Sequence, residues 1–268
     1  IFGSLFFLLL IILAILNRSV NMPMQTDWHK NINSEMRVIM SEFKNDNLYI
    51  GFEIKLSDNT YTYWSNPGDS GIEPDIKIST NNAINYEVQW PLPEMIKDQY
   101  GTNYGYYGNV VIPIKISLSD TKENIDLHLS YNLGVCNSIC IPIDGKIKIP
   151  MLDSHDYYRN KSNRRIQEAL RNTAFYRDDG TKFINSARLQ QLNNSEIINL
   201  IFSKPVRKIY PMTSKKFFLS DIEDIKESYI SYNFALTRKM KTDKISTEKF
   251  SVVILNDKEF FIEDFIVD

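Results

Sequence analysis

Ile125-Asp126-Leu127-His128-Leu129-Ser130-Tyr131-Asn132-Leu133 alternates apolar and polar residues without a break. Successive side chains of an extended strand point to opposite faces, so this segment has one oily face and one wet face. The same parity runs through Leu48, Ile50, Phe52, Ile54 and Leu56, with Glu53 and Lys55 opposite, and again through Val110, Ile112, Ile114, Ile116 and Leu118. Shorter strands are predicted over 36–43, 60–64, 75–79, 85–90 and 146–149. The Asn66-Pro67-Gly68-Asp69 turn and the Pro91/Pro93 pair punctuate them. About eight strands joined by turns predict an antiparallel β-sandwich over residues 27–152.

Outward from this core the chain changes character. Residues 5–16 read LFFLLLIILAIL. The run is shorter than the ~20 residues of a bilayer span and suits a signal-peptide apolar region, with a retained membrane anchor as the rival. Neither Met nor a basic segment precedes it, and Asn17-Arg18-Ser19-Val20 is the nearest cleavage candidate. Residues 1–22 are therefore read as signal peptide or anchor, and either exports the rest. Residues 153–175 are polar and charged; Ile166, Ala169 and Leu170 fall at helical spacing, and Ser154 or Asp156 could cap the start. This is read as a linker helix. Residues 176–268 hold further strand patterns at 197–202, 206–210, 229–236, 250–255 and 259–266, and no cysteine. They are read as a second, smaller β-rich domain. The formal net charge of −2 argues against a nucleic-acid partner, which needs a basic surface. With 15 Tyr and 15 Phe the composition favours strands over helices.

The only two cysteines, Cys136 and Cys140, stand in Val135-Cys136-Asn137-Ser138-Ile139-Cys140-Ile141-Pro142. A continued strand would hold them about 13 Å apart at ~3.3 Å per residue, too far for a disulfide, whose Cα atoms lie about 4.4–6.8 Å apart. The chain must turn between them. Pro142 and the β-branched flanks disfavour a helical turn, and a tight hairpin with Asn-Ser at its tip fits better. If the core-facing row continues to Val135, Cys136 points away from the core. A returning row of Ile139, Ile141 and Ile143 would turn Cys140 outward too.

Spacing alone leaves three readings open. A redox pair suits a short loop with outward sulfurs. A structural staple would contribute only about 2 kcal/mol for so short a loop. A metal site is poorly supplied, because zinc wants four ligands and His29, His128 and His155 lack ligand spacing to the pair. A copper-handling role finds only Met151 close in sequence, and no cofactor is expected.

Four motifs in order carry a family resemblance. They are Tyr63-Trp64-Ser65-Asn66-Pro67-Gly68-Asp69-Ser70-Gly71, Gln89-Trp90-Pro91-Leu92-Pro93-Glu94, Tyr104-Gly105-Tyr106 with Val110-Val111-Ile112-Pro113, and the closing segment Tyr131 to Pro142. Together they resemble the periplasmic amino-terminal domain of DsbD-type thiol:disulfide interchange proteins, over roughly residues 36–150. The resemblance implies an immunoglobulin-like sandwich in the periplasm. It implies a cysteine pair that takes electrons from a thioredoxin-like domain and hands them to acceptors such as disulfide isomerases, cytochrome c maturation proteins or copper-resistance thiol proteins. It assigns Cys140 as the attacking sulfur and Cys136 as its resolving partner, and places Tyr104, Tyr106 and Tyr107 in an aromatic cap loop over the pair.

DsbD-type proteins continue into a membrane electron carrier and a CxxC domain. Here the donor is expected on a separate chain. The 66–71 stretch is read as architecture rather than chemistry: Pro fixes φ and glycine supplies positive φ for a tight corner. The rival function is an exported binding module with an inert, structural disulfide.

Overall fold

The computed structural model describes residues 25–44, 47–68, 70–81, 83–98, 101–118, 125–152, 164–192, 195–212, 214, 216–221, 230–240, 244–245, 248–257 and 259–268. The apolar run at 5–16, Asp69 and the expected caps Ser154 and Asp156 lie outside them. Among the described residues no helix is long and apolar enough to cross a membrane.

The first half of the chain forms β1 (His29–Asn31), β2 (Ser34–Lys44), β3 (Asn47–Leu56), β4 (Tyr61–Gly68), β5 (Asp75–Thr80), β6 (Ala83–Val88), β7 (Glu94–Asp98), β8 (Gly101–Tyr107), β9 (Asn109–Leu118), β10 (Ile125–Cys136) and β11 (Cys140–Leu152). One sheet runs β1-β2-β3-β9-β6. The other runs β11-β10-β4-β8-β7, with β5 also paired to β10. The pairs within both sheets are antiparallel. The alternation does what the sequence demands: Leu48, Ile50, Phe52 and Ile54 are fully buried between the sheets, as are Ile114, Leu127 and Leu129. This is the expected immunoglobulin-like antiparallel sandwich.

The opposite parity of β3 is used as well. The helix α1 (Arg164–Arg171) lies across β3 and β9. Eight residues are too few to hold a helix alone in water, so docking sustains it. Ile166 is fully buried against Gly51, where a Cβ would come within 2.9 Å of its Cγ1. Glu53 accepts hydrogen bonds from Arg165 at 2.7 Å and Arg37 at 2.5 Å, which ties the helix to the sheet. Within the expected linker, the described residues form this helix, which packs on the sandwich.

Beyond it come β12 (Phe175–Tyr176), β13 (Ile184–Leu192), β14 (Ser195–Phe202), β15 (Lys208–Pro211), β16 (Phe217–Asp221), β17 (Ser231–Arg238), β18 (Lys249–Leu255) and β19 (Phe260–Ile266). They make two four-stranded sheets, β12-β19-β18-β15 and β13-β14-β17-β16. Their shared core is rich in phenylalanine, with Phe217, Phe234, Phe250 and Phe261 buried. This is the second, smaller β-rich unit. Sequence periodicity missed β13 and β16: β13 is largely exposed along its length, so it lacks a sustained apolar row, and β16 is short.

The two units share apolar surface. Tyr210 and Val253 of the second unit belong to the core of the first. The Tyr210 ring stands 6.3 Å from Trp64 and 6.4 Å from Tyr104, both edge-on, an arrangement aromatic quadrupoles favour.

Candidate functional site

The β10–β11 pairing carries on to the end of both strands, so Val135 faces Ile141 and Cys136 faces Cys140 directly. Their Cα atoms are 4.0 Å apart and the sulfurs are joined in a disulfide. The connecting loop is Asn137-Ser138-Ile139. The Asn137 side-chain oxygen accepts a hydrogen bond from the Ile139 amide at 3.2 Å, the local bonding that makes Asn a turn residue. Ile139 thus sits at the loop tip, 71% exposed, and does not start the returning inward row; Ile141 does, packed on the core opposite Val135, and Ile143 follows, buried opposite Leu133. The hairpin holds three residues rather than the expected two.

The two cysteines are not equivalent. Cys136 is fully buried, whereas Cys140 is exposed. Cys136 points away from the sandwich core, as parity predicts, but into a small second cluster formed by Tyr61, Tyr63 and Ile96. Strand β4 creates it: Cys136 pairs with Tyr61 and Val135 with Thr62, so Tyr61 and Tyr63 share the face of Cys136. The Thr62 hydroxyl donates to the Gly134 carbonyl at 2.8 Å and fixes the two strands together.

Tyr63 is the side chain that reaches the disulfide. Its hydroxyl lies 3.1 Å from Cys140 Sγ and 3.3 Å from Cys136 Sγ. A disulfide carries no S–H proton, so Tyr63 is the donor in this contact. Two glycines make room for its ring. A Cβ on Gly134 would stand 2.9 Å from the Tyr63 Cε2, and one on Gly71 would stand 2.7 Å from its Cε1. The motif ending at Gly71 is therefore architecture, as expected, but architecture aimed at the sulfurs.

The expected cap is rearranged. Residues 101–107 are not a loop but strand β8, whose alternation splits the three tyrosines. Tyr104 and Tyr106 turn inward and are buried in the main core. Tyr106 donates its hydroxyl to the Pro91 carbonyl at 2.6 Å, and burial pushes that hydroxyl's pKa well above the usual tyrosine value. Neither reaches the disulfide face. Tyr107 does lie on that face: it pairs with Tyr61, the two ring centres are 5.6 Å apart, and it is 43% exposed. Tyr61 and Tyr63 were the missed residues. The Tyr-Thr-Tyr alternation was legible; that it abuts the cysteine hairpin required the β4–β10 pairing, which joins residues more than seventy positions apart.

An exposed cysteine and a buried one joined in a disulfide at a hairpin end, with a tyrosine hydroxyl at both sulfurs, suit a thiol–disulfide interchange module on a β-sandwich. Residues 32–151 match the family described as "Thiol:disulfide interchange protein DsbD, N-terminal". The crystal structure of the N-terminal periplasmic domain of ScsB from Proteus mirabilis superimposes with a TM-score of 0.68 at 17% identity, covering 92% of this chain and 99% of that one. The common fold therefore includes the second β unit. The yeast GGA1 GAE domain aligns over 47% of the chain at 7% identity with a TM-score of 0.25, too low to bear on the fold. No curated protein matches the sequence.

Replacing Tyr63 by Phe keeps the ring and removes the donor. A net hydrogen bond is worth about 1 kcal/mol, so alkylation of the reduced protein at neutral pH should slow about fivefold, with no change in the alkaline plateau. A pH profile of iodoacetamide reaction checks this; an unshifted profile would show that the hydroxyl does not stabilise the thiolate.

Proposed function

We propose that the Cys136–Cys140 pair passes reducing equivalents in the periplasm, from a thioredoxin-like donor to acceptor proteins of the disulfide-isomerase, cytochrome c maturation or copper-resistance thiol class. The observation that carries this is the asymmetry of the two cysteines, Cys140 exposed and Cys136 fully buried. Exchange requires an incoming thiolate to approach one sulfur in line with the S–S bond. Cys140 offers that approach. The donor thiolate bonds to Cys140 Sγ, the S–S bond breaks, and its electron pair leaves on Cys136 Sγ, within reach of the Tyr63 hydroxyl. The donor's second thiolate then attacks the donor sulfur of the mixed disulfide and releases Cys140. The donor leaves oxidised and the pair leaves as two thiols. Running the same steps toward an acceptor disulfide, Cys140 attacks and Cys136 resolves. Exposed Ile139, in the loop between the cysteines, and Tyr107, beside Tyr61 on the same face as Cys136, give a partner apolar surface to seat on.

The decisive measurement is the reduction potential of the pair in defined thiol–disulfide buffers. Inert structural disulfides lie below about −300 mV, and exchange-active ones lie higher. A midpoint above that mark, with rapid reduction by a reduced thioredoxin-like protein, is the expected result. A midpoint well below it returns the disulfide to the role of staple.

A further inference from the structure

Asn66 is fully buried, and each part of its amide is engaged. The nitrogen donates to the Pro211 carbonyl at 2.8 Å and to the Leu219 carbonyl at 2.9 Å. Those carbonyls come from β15 and β16, one from each sheet of the second unit. The side-chain oxygen accepts from the Gly68 amide at 3.1 Å, inside its own turn. One side chain thus binds three backbone segments in a place where an unmatched amide is costly.

The turn it holds is the seat of Tyr63. Gly68 adopts φ +86°, and a Cβ there would stand 2.3 Å from the Thr102 carbonyl oxygen, so the chain can bend this close to β8 only with glycine. Ser70 is held by the Asn103 side chain, its amide donating at 3.2 Å. At the far end Gly71 packs against Pro67 and the Tyr63 ring. Two residues later Glu73 forms an ion pair with Lys239 of the second unit at 2.7 Å.

We infer that Asn66 is a positioning residue through which the second β unit controls the disulfide. The links run from the Pro211 and Leu219 carbonyls to Asn66, through the turn to Gly71, to the Tyr63 ring and so to both sulfurs. Anything that shifts the second unit, such as a partner docking on it, then alters the hydroxyl at the sulfurs. This rests on the exchange reading above and gives the cysteine-free unit a regulatory part in it.

The test is thiol reactivity in the full chain. Asn66→Ala removes the clamp. Asn66→Asp keeps the oxygen that accepts from Gly68 but sets a second oxygen against two carbonyls. Both should move the alkylation pH profile of reduced Cys140 in the direction of Tyr63→Phe, by at least half as much. Combined with Tyr63→Phe, Asn66→Ala should add little, because both act through one hydroxyl. Should the Asn66 variants not fold, Lys239→Glu sets like charges against Glu73 at the surface and should shift the profile the same way. An unmoved profile in folded variants, or effects that simply multiply with Tyr63→Phe, would overturn the coupling. The small-molecule readout keeps the two ideas apart. A parent chain that exchanges with a thioredoxin-like protein while its variants alkylate normally sinks the coupling alone. A parent with an inert potential whose variants shift together sinks the exchange reading and supports the coupling.

Discussion

Cys136→Ser, offered a thioredoxin-like protein carrying one activated active-site cysteine, should accumulate a covalent complex on a non-reducing gel. Cys140→Ser should accumulate little. The difference follows from access. Cys140 is at the exposed end of the hairpin, with the 71%-exposed Ile139 beside it. Cys136 has no exposed surface and lies beneath Tyr61, Tyr63 and Ile96. An attacking or attacked sulfur must align with three atoms in a row, which a buried one cannot do without displacing its cover, so the yields should differ at least ~tenfold. With Cys136 gone, nothing on this chain resolves the mixed disulfide once Cys140 has formed it. The opposite ranking would reassign the nucleophile. Complexes from neither variant would leave the pair a structural bond.

The largest stability effect is expected at Phe52. Its ring is fully buried at the centre of β3 and meets Tyr131 of the facing sheet at 5.2 Å between centres. Truncation to alanine removes the transfer energy of the ring and leaves a cavity that two hydrogen-bonded sheets cannot collapse around. Such Phe→Ala changes cost about 3–5 kcal/mol, against a total of about 5–15 kcal/mol for a typical domain. Urea denaturation of the oxidised protein should show the midpoint falling accordingly, with little change in slope. A loss under ~1 kcal/mol would mean the sheets do not meet there. Since Phe52 belongs to the sheet without cysteines, the alkylation profile of the reduced variant should match the parent.

Much of this molecule is written locally. Period-2 rows in β3, β9 and β10 can bury their apolar side only as strands, because a helix would smear those residues around its whole surface. The hairpin between the cysteines follows from their spacing and Pro142, and the outward aim of Cys136 from parity. The four motifs carry the resemblance to the family. Residues 101–107 were harder: a Gly- and Tyr-rich stretch looks like a turn until pairing with β4 makes it a strand, and such a strand must divide its tyrosines between core and surface. The sequence by itself determined the strands that carry sustained period-2 rows, which of their faces are apolar and where the sulfurs must meet. Tertiary structure alone decided which sulfur is open, that Tyr63 rather than Tyr106 touches it, and that Asn66 joins the second unit to that tyrosine. Alternation specifies a face of a strand but not which distant strand covers it, and each of these three facts depends on a neighbour brought in by sheet pairing or by the packing of one unit against the other.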